Sequence, residues 1–306
     1  MADYVPTSVV LPTTGWNGAC AEVVAQLREE DELLVVCDDE NEAVADRVAD
    51  VSNARLVVAG DPEGCSGKAN AVAAGMEAAE HDRIAWSDDD YHHPPDWLEG
   101  LRQDYEEHGP VSETPVFVGQ DPLGAFLEPT QALSGTLMVY VADIPWGGAV
   151  MFERDDLGDE DAFLEELRRT VSDDGLLSEY VDVTTLGRTR RVEIGGSARE
   201  SLENQVRFTQ IVRNHDVRGI ALMTGIATVL TAVAVLFPLP MLALTTLSMA
   251  AIYAAFGIRR WTFLTAYPVL LASVPLTLYG LARHTFVWGG RRYRWEDKFD
   301  VTVVSE

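Results

Sequence analysis

Between Gly219 and Ile258 the chain runs for 40 residues without one Asp, Glu, Lys or Arg. About 20 apolar residues already span a hydrocarbon layer, so a run of this length is hard to fold into an ordinary soluble core. Phe237-Pro238-Leu239-Pro240 interrupts it midway, which reads as two apolar helices joined by a tight turn. A third uncharged stretch, Trp261 to Ala282, is also long enough to cross, and three such runs in succession argue against a buried core helix. Arg213 and Arg218 precede the first run and Arg259 and Arg260 follow the second, so the positive-inside rule places both flanks in the cytoplasm. Three full crossings would put Arg283, Arg291, Arg292 and Arg294 on the opposite face, against the same rule. Pro268 and Pro275 are candidates for breaking the third run into a re-entrant pair that returns the tail.

The remainder of the chain has the opposite character. Of 306 residues, 23 are Lys or Arg and 49 are Asp or Glu, a formal charge of -26, although 47% are hydrophobic. Residues from Arg218 onward hold eight basic and four acidic groups, leaving 15 basic and 45 acidic to the first 217, a formal -30. An acidic domain is joined to an apolar, mildly basic part. So much negative charge repels nucleic acid, which argues against nucleic-acid binding. Only Lys68 and Lys298 stand against 21 arginines. A carboxylate-rich, lysine-poor surface suits molar salt, where counterions screen self-repulsion, and points to a haloarchaeal protein. Cys20, Cys37 and Cys65 are odd in number and lack C-x-x-C spacing, so they are expected as buried thiols in a reducing compartment. The N-terminal MADYVPTSVVLP has no basic region followed by an apolar run, so no signal peptide is expected and the acidic domain is expected in the cytoplasm.

Within the acidic domain, Ser8 to Pro12 predicts a short buried strand, Ala19 to Leu27 a helix, and Glu32 to Cys37 a second strand ending at Asp38-Asp39. Arg55 to Ala59 is a third strand, followed by the glycine-rich Gly60 to Lys68 and an alanine-rich helix through Glu80. Arg83 to Trp86 is a fourth, ending in Ser87-Asp88-Asp89-Asp90. Alternating strands and helices predict an α/β fold with a mostly parallel sheet, whose ligands bind at the carboxyl ends of the strands. Both acidic runs lie at those ends. Converging carboxylates repel unless a cation joins them, so a hard metal with oxygen ligands and a diphosphate are natural guests. Lys68, kept inside a glycine-rich loop, is a compact charge for a phosphate. Ala69 stands where a P-loop needs a hydroxyl residue, which disfavours an NTPase.

This order of motifs resembles the family 2 glycosyltransferases of the GT-A fold, especially the membrane-bound branch with ceramide glucosyltransferase, polyprenyl-phosphate sugar transferases and processive polysaccharide synthases. The resemblance implies a Rossmann-like mixed sheet carrying a nucleotide-diphospho-sugar site, followed by a helical transmembrane region. By that resemblance Pro12, Asp38, Asp39, Lys68, Asn70 and Asp88 bind the donor, Gly67-Lys68-Ala69-Asn70-Ala71 resembling the family's GKxNA segment. Ser87-Asp88-Asp89-Asp90 resembles the D-x-D motif, which implies Asp90 and Asp88 as ligands of Mg2+ or Mn2+. Trp146, Gly147 and Gly148 resemble the small-residue segment beside the acceptor. Ser172-Asp173-Asp174-Gly175-Leu176-Leu177 resembles the E-D-x-x-L motif, making Asp174 the catalytic base with Asp173 beside it. Asn204, Arg207 and Phe208 resemble the Q-x-x-R-W motif on the acceptor side, with Asn and Phe replacing Gln and Trp.

The expected organisation is a cytoplasmic domain over residues 1-203, an interfacial segment over 204-218, about three membrane helices over 219-282 and a basic tail over 283-306. The partners implied are a nucleotide-diphospho-sugar donor and a lipid-linked acceptor, dolichol phosphate or a glycolipid, as in haloarchaeal enzymes that assemble N-glycans on dolichol phosphate. Several residues carry plainer readings. His92 and His93 read as turn residues rather than ligands, Trp146 as packing or a sugar platform, and Arg207 as a headgroup contact or an acceptor ligand. Trp261 and Trp288 read as interfacial anchors. A polysaccharide synthase or a non-catalytic membrane scaffold on the same fold are the alternatives.

Overall fold

A computed structural model describes residues 4-40 and 44-304. Met1 to Asp3, part of the segment read for a leader, lie outside the described residues. In chain order the elements are β1 (Thr7–Pro12), α1 (Gly18–Val24), β2 (Glu32–Cys37), α2 (Ala45–Val48), β3 (Ala54–Val58), α3 (Gly67–Ala78), β4 (Arg83–Ser87), α4 (Trp97–His108) and β5 (Val111–Gly119). There follow α5 (Pro122–Gln131), a π-helical turn (Ala132–Leu137), α6 (Met138–Val141), β6 (Ala149–Glu153), a 3-10 turn (Arg154–Leu157), α7 (Glu160–Leu167), α8 (Asp173–Tyr180) and β7 (Thr184–Ile194). The chain continues through α9 (Ala198–His215), α10 (Val217–Leu236), α11 (Pro238–Ala255), a 3-10 turn (Trp261–Thr265), α12 (Ala266–Leu281), β8 (Thr285–Trp288), β9 (Arg291–Asp297) and β10 (Asp300–Val304). Seven strands form one mixed sheet in the order β3-β2-β1-β4-β6-β5-β7.

Two compact units divide the chain. The first holds residues 1-113, 143-190 and 299-303. Its centre is β1, parallel to β2 on one side and to β4 on the other, as the continuous apolar runs of these strands require when both faces are covered. β4 then pairs antiparallel with β6, with Ser87 opposite Ala149. Helix α3 lies close on the sheet because Gly75 has no side chain; a Cβ there would collide with Val10 and crowd Val36. Trp86 is fully buried beside Phe152, ring centroids 5.3 Å apart and edge-on, and Phe163 at 6.1 Å. Around these rings Val72, Met76, Leu176 and Leu177 complete the core between sheet and helices.

The second unit holds residues 114-142, 191-298 and 304-306, so the segment 114-142, inside the first 203 residues, clusters with the apolar helices. Three helical stretches are long and apolar enough to cross a membrane: Val217–Leu236, Pro238–Ala255 and Trp261–Leu281, with mean hydropathies of 2.2, 1.4 and 1.5. Helices α10 and α12 are antiparallel, since Thr231 Oγ1 donates to Leu270 O and Tyr267 Oη donates to Ala234 O, both at 3.1 Å. At the other end of the pair, Gln210 Nε2 donates to Gly280 O at 2.8 Å and Arg283 O at 2.9 Å. Arg213 meets His284 Nδ1 there at 2.7 Å. The start of α10 and the end of α12 therefore lie at one end, which brings Arg283 next to Arg213. The proposed break at Pro268 and Pro275 is not what achieves this, because α12 runs unbroken through Pro275. The tail is not a plain basic extension either: Thr285–Trp288 and Arg291–Asp297 pair as an antiparallel hairpin, with Tyr293 and Trp295 buried and Arg294 and Glu296 exposed.

Candidate active site

In the first unit, the beginnings of α3 and α8 are tied together by a capping serine. Ser66 Oγ accepts from Ala69 N at 3.0 Å and donates to Val171 O at 2.8 Å, while Ser66 N donates to Thr170 O at 3.0 Å. Lys68, in the first turn of α3, consequently faces Asp173, in the first turn of α8. Lys68 Nζ lies 2.7 Å from Asp88 Oδ1 and 3.2 Å from Asp173 Oδ2. Burial alone would depress the ammonium's pKa, but the charges of Asp173, Asp88 and Asp174 outweigh it and hold Lys68 above its ordinary value. Asp173 is 3% exposed, and its Oδ2 has the Lys68 charge nearby without a hydrogen bond. Burial pushes the Asp173 carboxyl up to about 6 against the pull of Lys68. Asp174 is half-buried; its Oδ1 accepts from Ser172 Oγ at 2.5 Å and from Gly175 N at 2.8 Å.

The acidic loop after β4 is held from two sides. Asp88 N donates to Gly148 O at 3.0 Å, continuing the β4–β6 ladder. Asp89 is bound by Thr13 Oγ1, and Asn17 Nδ2 donates to its main-chain oxygen at 2.9 Å, so it braces the loop after β1. Burial, with the charge of Asp88 adding to it, raises the Asp89 carboxyl. The same two causes push Asp90 up to about 7. Gly147 and Gly148 face these acids: a Cβ on Gly147 would meet Asp173 Oδ2, and one on Gly148 would meet the Trp146 ring and come within 2.6 Å of Asp88 Oδ2. Glycine at both positions thus lets β6's entry loop lie against the carboxylates.

The remaining residues singled out in the sequence fall into place unequally. Asn70 is 5% exposed and fully engaged in bracing: Nδ2 donates to Ala59 O and Gly60 O at 3.1 and 2.9 Å, and Oδ1 accepts from Arg168 at 2.8 Å. Pro12 ends β1 opposite Val36, and Asp38 and Asp39 follow β2, the first half-buried and the second exposed. Trp146 is 6% exposed and packs on Tyr91 with ring centroids 5.3 Å apart, so packing accounts for it. His93 is buried with Nε2 2.7 Å from Ser87 Oγ, and burial lowers its pKa to about 4, keeping it neutral inside the turn. His92 pairs with Glu22 at 2.8 Å. Asn204, Arg207 and Phe208 belong to the second unit, on α9. There the Arg207 guanidinium lies 4.4 Å from the centre of Trp288 and 4.9 Å from that of Phe208. Thr13, Asn17, Ser66 and Ser172 were not singled out from sequence, although Asn17, Ser66 and Ser172 stand where helix-capping residues are preferred.

Among the described residues no group of three or more His, Cys, Asp or Glu side chains is arranged to hold a metal ion. The chemistry of the site nevertheless fits one. Asp88 and Asp173 contact the Lys68 ammonium, which also feels the charges of Asp174 and Asp90, and Asp90 is raised by burial and by Asp88, so a divalent cation between Asp88 and Asp90 would relieve their repulsion. One or two carboxylates completed by phosphate oxygens is the usual manner of binding Mg2+.

Residues 8–139 match the family model described as Glycosyl transferase family 2. No curated protein matches the chain. Among solved structures, S. aureus TarS 1-349 in complex with UDP-GlcNAc is 12% identical, with 98% of this chain and 99% of that chain covered and a TM-score of 0.43. Glucosyl-3-phosphoglycerate synthase from Mycobacterium tuberculosis in complex with Mg2+ and UDP is 16% identical, with 68% and 77% covered and a TM-score of 0.41. The complex of that synthase with Mn2+, UDP and glucosyl-3-phosphoglycerate is 15% identical, with 68% and 80% covered and a TM-score of 0.42. On the family match over residues 8–139 the chain is a glycosyltransferase, and its seven-stranded mixed sheet has the GT-A fold.

Proposed function

We propose that this chain is an inverting, metal-dependent transferase that moves a sugar from a nucleotide-diphospho-sugar to a lipid-linked acceptor, dolichol phosphate or a glycolipid, at the cytoplasmic face of a membrane. The observation that carries the reading is the position of Lys68 between Asp88 and Asp173 at the carboxyl edge of the sheet. Asp88 and Asp90 would hold the cation with the donor diphosphate, and the cation would stabilise charge on the departing nucleotide. Lys68 keeps its proton and supplies a fixed positive charge to the same leaving group. Asp173, ion-paired with Lys68, positions it. Asp174, half-buried and anchored by Ser172 and Gly175, takes the proton of an acceptor hydroxyl attacking the anomeric carbon from the face opposite the diphosphate, which inverts that centre. The family resemblance assigns Arg207 and Phe208 of α9 to the acceptor side, and Trp288 of β8 packs on the same guanidinium. Leu222, Val229, Leu239 and Leu247 are each more than 60% exposed on α10 and α11, which supports placing these helices in lipid.

The test uses membranes from cells expressing the full chain, supplied with labelled UDP- or GDP-sugars, Mn2+ and molar KCl. Organic-phase radioactivity that disappears with a chelator and in Asp90→Asn supports the reading. Label confined to water-soluble product sinks the lipid acceptor. Asp174→Asn separates the two kinds of acceptor. A hydroxyl acceptor predicts a loss of about 10²–10⁴-fold, whereas a lipid phosphate, already anionic, predicts little change. Deleting the gene in its host and weighing the dolichol-linked glycans by mass spectrometry would then name the sugar.

A further inference from the structure

At the carboxyl end of α11 a groove of about 410 Å³ opens, lined by Ala250, Tyr253, Ala254, Arg259, Trp261 and Phe263 among others. Its two arginines differ. Arg260 is fixed on Glu128, a side chain of α5 that is 3% exposed, with Nη2 2.9 Å from Oε1 and Nε 3.0 Å from Oε2. Glu128 is held in turn by Gly119 N at 3.0 Å and by Thr262 Oγ1, and Tyr253 Oη lies 3.2 Å from Thr262 Oγ1. The charge of Arg260 is therefore compensated inside the protein, and its guanidinium forms part of a rigid wall. Arg259 is exposed and makes no ion pair among the described residues. One uncompensated positive charge remains at the mouth of the groove.

Below that charge the wall is apolar. Ala250 and Ala254 stand one turn apart on the same face of α11, and their small side chains leave a trough along the helix. Trp261, 70% exposed at the rim, has the amphipathic ring found where water meets the headgroups of a bilayer.

We propose that this groove binds a bilayer phospholipid: Arg259 meets its phosphodiester, and the Ala250–Ala254 trough receives the first part of a hydrocarbon chain. The charge decides for a phospholipid over an isoprenoid phosphate. A phosphodiester carries one negative charge and matches the single free guanidinium, whereas a phosphomonoester carries nearly two. The proposal rests on the reading that the apolar helices lie in a membrane, and the experiment keeps the two apart.

The full chain is first assayed in the membrane fraction, then extracted in mild detergent, stripped of loose lipid and weighed by native mass spectrometry, with phosphatidylglycerol added back as the probe. Wild type and Arg218→Gln, which removes a charge from a different flank, are expected to keep one phospholipid. Arg259→Gln should bind phosphatidylglycerol about tenfold or more weakly, the effect of losing one charge-assisted contact, with an unchanged thermal midpoint showing that it is folded. Equal retention by Arg259→Gln and wild type, or an adduct with the mass of an isoprenoid phosphate, overturns the site while leaving the membrane reading intact. Absence of the chain from the membrane fraction overturns both.

Discussion

A carboxyl that titrates near neutrality makes cation binding depend on pH. Asp90 is pushed up to about 7 and Asp173 to about 6, both chiefly by burial. The unfolded chain releases these protons near the ordinary aspartate value of about 4, so between about pH 4 and 7 the folded, cation-free protein binds more protons than the unfolded one. Stability of the metal-free protein is thus expected to fall as pH rises through that window, and Asp90→Asn should flatten the slope, as thermal melts in chelator would record. Because a ligand carboxyl must lose its proton, apparent affinity for Mn2+ should rise with pH and level off above about 7. A flat profile in a titration with donor nucleotide would remove Asp90 from the cation site. At Gly147 the prediction is steric. Alanine there drives a Cβ onto Asp173 Oδ2, so Gly147→Ala should cut turnover more than it lowers the melting temperature, because Asp173 moves and Lys68 moves with it. Asp88 to Asp90 stand out in the sequence because an acidic run directly follows an apolar strand, and Lys68 because it is one of two lysines; the structure brings Lys68 to Asp88 and Asp173. The bracing role of Asn70 was not, since its partners Ala59, Gly60 and Arg168 meet it only through the folding of the loop.

Among the elements, helix caps do more than end helices in this protein. Ser66 caps α3 and simultaneously holds the approach to α8, so Ser66→Ala should cost about 1 kcal/mol or somewhat more in stability. It should also raise the apparent constant for the donor as Lys68 loses its register against Asp88, measurable as a change in KM beside the melting curve. The strands from β1 to β4 were readable to within a residue or two because their apolar runs end in acidic or glycine-rich turns. The β8–β9 hairpin was hidden by its charge: Arg291, Arg292 and Arg294 read as a basic tail, although Tyr293 and Trp295 alternate with exposed Arg294 and Glu296 as a strand requires. Likewise a hydropathy pattern gives the length of a crossing but not its register. The antiparallel pairing of α10 with α12 and the contact of Gln210 with Gly280 depend on side chains scattered across 70 positions of sequence. Cysteines placed at Arg213 and Arg283 are accordingly expected to react with an impermeant maleimide from the same side of sealed vesicles. Reaction from opposite sides would rule out the paired arrangement.

For the molecule as a whole, charge and solvent have to be considered together. The first 217 residues carry a formal -30 while the remainder carries +4, so self-repulsion is concentrated in the part that holds the sheet and the acids around Lys68. Some of this charge is locked into ion pairs that solvent barely reaches: Arg102 lies 2.6 Å from Asp31, and Arg190 grips fully buried Glu113, which the more exposed Arg188 also meets. Others, such as Arg28 with Glu99, are nearly half exposed and contribute little. Added salt weakens the exposed pairs, which alone would lower stability. It also shortens the screening length from about 10 Å at 0.1 M to about 3 Å at 1 M, which removes repulsion among the many unpaired surface carboxylates. With three acids for every base in this region, repulsive pairs outnumber attractive ones, so the second effect should win. The thermal midpoint of the full chain in detergent is therefore expected to rise steadily as KCl increases from about 0.1 to about 2 M. Each kcal/mol of relieved repulsion should add roughly 2–4 °C in a chain of this size. Screening by potassium and by a bulky monovalent cation should be equivalent if self-repulsion is the cause. A midpoint that is flat or falls with salt would show that the buried ion pairs, rather than the net charge, set the stability of the domain.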